Sequence, residues 1–209
     1  MAVTDKIGSV VLYIARHAEV PGDKKGTMRG LLNEKLDEAG QKQADELADL
    51  FRDIQLAAAF TDDLTRTQQT LEPILAGKGI KGQVDVELRS WDVGPELEGK
   101  SIEANKAKIK QFKSQPHLIP LGGKSWGDYI QQVRNFFSRY WAMGLESGPI
   151  LLILHGSGVQ IVWDIVGAME LGTEYDQTPL EPSGVAALYL SRSGPKVKIL
   201  RGGKANLDE

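Results

Sequence analysis

Val10-Val11-Leu12-Tyr13-Ile14-Ala15-Arg16-His17 is the stretch whose reading decides the fold. Six consecutive apolar residues without polar alternation belong to a strand covered on both faces, the habit of parallel sheets flanked by helices. The run stops at an Arg-His pair, so the strand delivers two polar side chains at its carboxyl end, where ligands of open α/β sheets bind. A neutral imidazole can attack phosphorus while a guanidinium holds the phosphate oxygens through two parallel hydrogen bonds. Alone, the pair is weak evidence, and a strand-end histidine in a turn beside a surface arginine is the simpler reading.

Working outward, the same device recurs. Ile150-Leu151-Leu152-Ile153-Leu154-His155 is a second apolar strand ending in His, followed by Gly156-Ser157-Gly158 and an apolar helix from Val159 to Val166. A strand, a Gly-rich turn and a helix start bring backbone N–H groups toward an anion. Neither a G-x-x-x-x-G-K-S/T loop nor a Rossmann fingerprint is present. Between the two strands, Ala44, Leu47, Ala48, Phe51 and Ile54 recur at helical spacing. Leu56 to Asp62 predicts a short buried strand, and Leu64, Gln68, Leu71 and Leu75 predict a helix ending near Gly77 and Gly79. Arg66 falls in that helix's first turn, where a cation opposes the helix dipole and serves an anion better than it serves the helix.

Val84 to Leu88 alternates and predicts an edge strand, and the polar segment after His17, Ala18 to Gly26, predicts a loop. The Lys-rich stretch from Ser101 to Pro120 predicts a helix and then a loop covering one side of the site. Ser125, with Asp128 three residues on, predicts a helix start, and Trp126, Tyr129, Ile130, Val133, Phe137, Tyr140 and Trp141 its core-facing stripe. Val185 to Leu190 and Lys196 to Leu200 predict a hairpin over Ser193-Gly194. Alternating strands and helices make the class α/β.

Composition narrows the function. The 209 residues, 41% hydrophobic and 25% charged, predict one soluble globular domain over 1–209, with residues 95–125 as a covering insertion. A net charge of -3 gives no footprint for nucleic acid. The absence of cysteine excludes disulfides and thiolate chemistry, and His17, His117 and His155 are too few for a multi-histidine metal centre. No cofactor is expected. The opening apolar run is too short to span a membrane and lacks a signal-peptide pattern, so no membrane partner and a cytoplasmic location are expected.

At this point the chain resembles the histidine phosphatase superfamily, the phosphoglycerate mutase-like group. Arg16-His17-Ala18-Glu19 matches its R-H-G-E signature, and Leu36 to Ala44 looks like its L-T-x-x-G-x-x-Q-A segment. Asp62 to Thr70 matches S-D-L-x-R-x-x-Q-T, Leu154-His155-Gly156 matches S-H-G, and Gly122-Gly123-Lys124-Ser125 resembles G-G-E-S. The resemblance implies a three-layer α/β/α sandwich with a mostly parallel central sheet. It also implies a phosphatase that hydrolyses a phosphomonoester through a phosphohistidine on His17, without metal. Arg16, Arg66 and His155 would form a cationic cradle for phosphate, with Gly156 and Arg29 as further contacts.

The departures matter as much. Ala18 replaces the signature glycine. Where the family's phosphatases carry an L-R-E stretch whose glutamate protonates the leaving group, this chain has Leu88-Arg89-Ser90, and serine has no accessible acid pKa. Asp92, two residues on, is the expected replacement, because side chains at n and n+2 of an extended segment point the same way; Glu96 and Glu98 are the next candidates. The alternatives to a phosphatase are a phosphoglycerate-type mutase and a non-catalytic binder of phosphorylated ligands. The expected partner is a small phosphorylated substrate or a phosphoprotein. The oligomeric state is left open, a dimer included.

Overall fold

The computed structural model describes residues 10–166, 179–191 and 194–203. Among them, six strands form one sheet in the order β3-β2-β4-β1-β5-β6. These are β1 (Val10–Arg16), β2 (Ala58–Thr61), β3 (Gly82–Val84), β4 (Ile150–Leu154), β5 (Leu180–Ser191) and β6 (Gly194–Gly203). β1 to β4 are mutually parallel, β5 is antiparallel to β1 and β6 antiparallel to β5. Only β5 therefore runs against the rest.

The unalternating runs are explained by burial on both sides. Leu12 and Ile14 of β1, with Ile150, Leu152 and Leu154 of β4, enter one core with Val133, Phe136 and Phe137 of α6 (Trp126–Glu146) and Val159 and Val162 of α7 (Gly156–Ile165). Tyr13, Ala15, Leu151 and Ile153 enter the other, with Leu47 and Phe51 of α2 (Glu38–Phe51) and Leu71 and Ile74 of α3 (Thr65–Leu75). The result is the three-layer α/β/α sandwich. Among the described residues, no helix is long and apolar enough to cross a membrane.

Two local expectations are corrected. The chain after Val84 is not an extended edge strand: the Asp85 carboxylate accepts from Glu87 N–H and turns Val86–Leu88 into a 3-10 turn, which buries Leu88 and leaves Val84 and Val86 exposed. The segment after His17 contains a one-turn helix, α1 (Pro21–Lys24), because Pro21 fixes the first helical φ and the Asp23 carboxylate accepts from Val20 N–H. The predicted hairpin of β5 and β6 forms, but Ser193 of its turn lies outside the described residues.

The segment after His17 is stitched down by residues of the matched motifs. Ala18 N–H donates to the Thr70 hydroxyl, Glu19 N–H to Gln43 and Leu36 N–H to Gln69. Gly40, in the first turn of α2, lies so close that an added Cβ would meet the Glu19 carbonyl oxygen at 2.0 Å. A backbone atom cannot swing aside as a side chain can. Gly40→Ala is expected to cost about 3 kcal/mol or more by overpacking, read as a lower urea midpoint with unchanged m-value; an unchanged midpoint would show that the loop relaxes freely.

Candidate active site

Arg16 ends β1 and His17 follows it. The His17 N–H donates to the Leu154 carbonyl and its carbonyl accepts from Ser183 N–H, clamping the residue between the ends of β4 and β5. Its ring is buried, with Nδ1 2.7 Å from the Ala18 carbonyl oxygen. A carbonyl only accepts, so Nδ1 carries the proton and Nε2 keeps the lone pair. Burial, then His155, Arg66 and Arg16 nearby, hold this imidazole well below its ordinary value of 6.5. It is neutral at pH 7.

His155 sits between β4 and α7, its ring centroid 5.3 Å from that of His17. Its Nε2 lies 2.6 Å from Asp62, a carboxylate at the end of β2 with no exposure, which also accepts from Leu64 N–H and the Thr67 hydroxyl. Burial pushes the Asp62 pKa up, but His155 and these donors outweigh it and hold the carboxyl below its ordinary value. Asp62 is therefore ionised and Nε2 carries the imidazole proton, which leaves Nδ1 to accept from Arg66 Nε at 3.3 Å. Burial, with Arg66 and Arg29 nearby, depresses the His155 pKa against the opposing pull of Asp62, and the net shift is downward. His155 was expected as a cation; it is a neutral link between a buried carboxylate and a buried guanidinium.

Arg66, in the first turn of α3, is 1% exposed and donates to the carbonyls of Leu32 and Gly30 at 2.5 and 3.1 Å. Burial and then Arg29 pull it down to about 10, so it stays charged at neutral pH. Arg16 and Arg29 donate to the same oxygen of Asp23, at 3.0 and 2.7 Å. Their Nε–H groups are buried and have no partner among the described residues.

These side chains line a cleft of about 350 Å³. Arg16, His17, Arg29, Arg66, His155 and Gly156 are among its lining residues, and so are Ser90 and Trp91. The predicted cover is built from two segments joined by hydrogen bonds: Met28 N–H to Lys100, Gly99 N–H to Met28 and Ile102 N–H to Gly26. Above them α5 (Lys106–Ser114) completes the wall.

Asp92 is not where the sequence put it. The chain does not stay extended past Ser90: the Asp92 carboxylate turns back to accept from Gly94 N–H at 3.1 Å, and Asp92 does not line the cleft. Glu96 pairs with Lys108 and accepts from Leu121 N–H, and Glu98 accepts from Leu31 N–H, so neither faces the cleft. Among the described residues no carboxylate lines it. His117 is exposed and outside the site. Sequence reasoning missed Asp23 and Asp62; the only available signal was an acid at the end of each segment that also supplies an arginine. No three His, Asp or Glu side chains among the described residues are grouped to hold a metal ion.

Paired histidines at the carboxyl ends of adjacent parallel strands, with three guanidiniums lining the same cleft, define the class: an α/β protein with a cationic site at the strand ends. The chain belongs to the histidine phosphatase superfamily (branch 1), which matches residues 12–201. It is 30% identical to fructose-2,6-bisphosphatase TIGAR of Bos taurus over 132 residues, 60% of this chain and 48% of that one. The chain thus spans about half the length of the TIGAR relatives it matches. It is 29% identical to a Hydrogenobacter thermophilus chain provisionally named phosphoserine phosphatase 2, over 81% of this chain and 92% of that one. A mycobacterial glucosyl-3-phosphoglycerate phosphatase structure superposes with a TM-score of 0.73 at 19% identity, covering 93% of this chain and 98% of that one. At that identity the likeness is one of fold.

Both buried histidines have folded pKa values below 6.5, so on acidification the unfolded chain takes up protons that the folded chain refuses. Stability is therefore expected to fall as pH drops below about 6.5, by up to about 1.4 kcal/mol per pH unit for each histidine. Urea midpoints at pH 7.5, 6.5 and 5.5 would show it, with His17→Asn removing its share of the slope. A flat profile would mean that the rings are charged in the folded state.

Proposed function

We propose that the protein is a metal-independent phosphomonoester hydrolase working through a phosphohistidine on His17. The carrying observation is the Nδ1 contact with the Ala18 carbonyl, which leaves the Nε2 lone pair in a cleft lined by three guanidiniums. The family and its phosphatase-named relatives support the same reading.

In the first step Nε2 of His17 forms a bond to phosphorus while the ester P–O bond breaks, and its electron pair leaves with the alcohol oxygen. Arg16, Arg29 and Arg66 neutralise the charge on the three non-bridging oxygens, in a site where fixed donors need little reorganisation. In the second step water attacks phosphorus, the N–P bond breaks and its electron pair returns to Nε2. The water's proton is released and inorganic phosphate departs. The Asp62-His155 pair fixes Arg66 through both steps. Because Ser90 takes the place of the family's acid and no carboxylate lines the cleft among the described residues, the departing oxygen takes its proton from water.

A positioned general acid is worth about 10²–10⁴-fold, so its absence gives a definite expectation. Para-nitrophenyl phosphate should be hydrolysed in the presence of EDTA, and alkyl phosphates about 10²-fold or more slowly. His17→Ala should abolish both activities, and Asp92→Asn should leave both within about twofold. Turnover that a chelator removes, or that survives His17→Ala, would overturn the mechanism; equal rates on aryl and alkyl esters would place an acid within reach of the leaving oxygen.

Asp62→Asn tests the positioning role. An amide donates to Nε2 where the carboxylate accepted, so the His155 proton must move to Nδ1 and confront Arg66 Nε–H. The expected outcome is a fall in kcat of about 10²-fold, with the His155 ring nitrogen NMR shifts exchanging character. Unchanged shifts with unchanged kcat would reduce Asp62 to a packing residue.

A further inference from the structure

Ser157 and Tyr129 form a pair that the mechanism above leaves unused. Ser157 follows Gly156 in the first turn of α7, half-buried, and lines the cleft together with His17 and His155. Tyr129 of α6 is 1% exposed and packs on Trp126 with ring centroids 5.5 Å apart, so its phenol meets the start of α7 from within the core. The two hydroxyl oxygens are 3.2 Å apart, and a Cβ added at Gly158 would stand equally close to the phenol oxygen, at 3.2 Å. Burial, with Asp62 nearby, holds the phenol above its ordinary value of 10 against the opposing pull of Ser157 and Arg66, so it keeps its proton at neutral pH. Two hydroxyls joined by one hydrogen bond have two protons to place, and either oxygen can be the donor. Among the described residues the phenol has no other hydrogen-bonding partner. Unless it donates to Ser157, its proton is buried unpaired, which is costly. Ser157 borders the cleft, where a ligand can accept. The phenol therefore donates to Oγ, and the serine proton is left for the cleft.

We propose that Ser157 touches the substrate, its hydroxyl aimed by Tyr129 to donate to a non-bridging oxygen of the phosphoryl group that His17 attacks. The inference rests on the hydrolase reading and adds two residues to it, Ser157 in contact with the substrate and Tyr129 as a positioning residue that acts through it. Two positions separate Ser157 from His155, whose ring centroid is 5.3 Å from that of His17, so the hydroxyl belongs to the same end of the sheet as the nucleophile. The arginines bring charge to that place, and a hydroxyl brings a donor without charge. Because its oxygen is already held by a phenol fixed in the core, the donor needs little reorganisation as charge builds on the phosphoryl oxygens.

Inorganic phosphate is the probe that isolates this contact, because it has phosphoryl oxygens and no leaving alcohol. Ser157→Ala should weaken phosphate binding, read by calorimetric titration, by about tenfold, the usual worth of a hydrogen bond to a charged group. It should lower kcat/KM on para-nitrophenyl phosphate and on an alkyl phosphate by the same factor, since the contact does not involve the departing oxygen. Tyr129→Phe deletes one oxygen from the core and keeps the ring; it should reproduce much of the loss in phosphate affinity. The double variant should lose no more than Ser157→Ala alone, because the phenol acts only through the serine. Unchanged phosphate affinity in Ser157→Ala overturns the proposal, and so does a loss confined to one class of ester, which would place the hydroxyl on the leaving group instead. Additive losses in the double variant overturn the positioning role of Tyr129. The titration needs no turnover, so a protein that hydrolyses no ester would fail the hydrolase reading and not the phosphate contact.

Discussion

Three guanidiniums cannot be brought to one place at the end of a sheet without something to hold them, and here two carboxylates do it, Asp62 fully buried and Asp23 partly so. Two unit charges about 5 Å apart repel by about 3 kcal/mol at an effective dielectric of about 20. Asp23 answers this for Arg16 and Arg29 by offering both the same oxygen. Asp62 answers it for Arg66 at one remove, through the His155 ring. Each carboxylate also accepts from a backbone N–H, Val20 in one case and Leu64 in the other. The guanidiniums line the cleft and the two carboxylates that hold them do not.

That arrangement explains why the covering segments are tied so closely to the sheet. Arg66 donates to the carbonyls of Gly30 and Leu32, so the charge that would hold phosphate also fixes the loop carrying Arg29. Gly30 can supply its carbonyl there because it adopts a positive φ and because Glu98 and Val93 lie too close for a side chain. Glu98, a candidate acid by sequence, is spent on that loop instead, accepting from Leu31 N–H. Loop, helix start and strand ends form one hydrogen-bonded unit, which holds donors in place before the reaction begins.

The sheet was legible because its signal is local. Leu12 to Ala15 and Ile150 to Leu154 announce burial on both faces through composition alone, and His17 and His155 mark the strand ends. Arg66 was legible because a cation at a helix start is locally unfavourable. Asp62 was not, since its partner is 93 positions away and nothing near it in the chain distinguishes a buried acid from a turn former. Asp92 failed for the opposite reason. The n, n+2 rule holds only while the chain stays extended, and an Asp two residues before a glycine supplies the side chain that ends the extension. The same kind of turn, at Asp85, undid the predicted edge strand.

Ser90 is best understood from the charges that line the cleft with it. A carboxylic acid can protonate a leaving group near neutral pH only if its surroundings raise its pKa, by burial or by neighbouring negative charge. A cleft lined by three arginines and three lysines does the reverse, stabilising the carboxylate and leaving it without a proton to give. A glutamate at position 90 would also stand as a fixed anion where an anionic substrate must pass. The chain has serine there, a residue that neither competes for the cations nor neutralises them. Attraction for an anion and ready protonation of a leaving group make opposite demands on the same electrostatic field, and the cations that line this cleft serve the first of them.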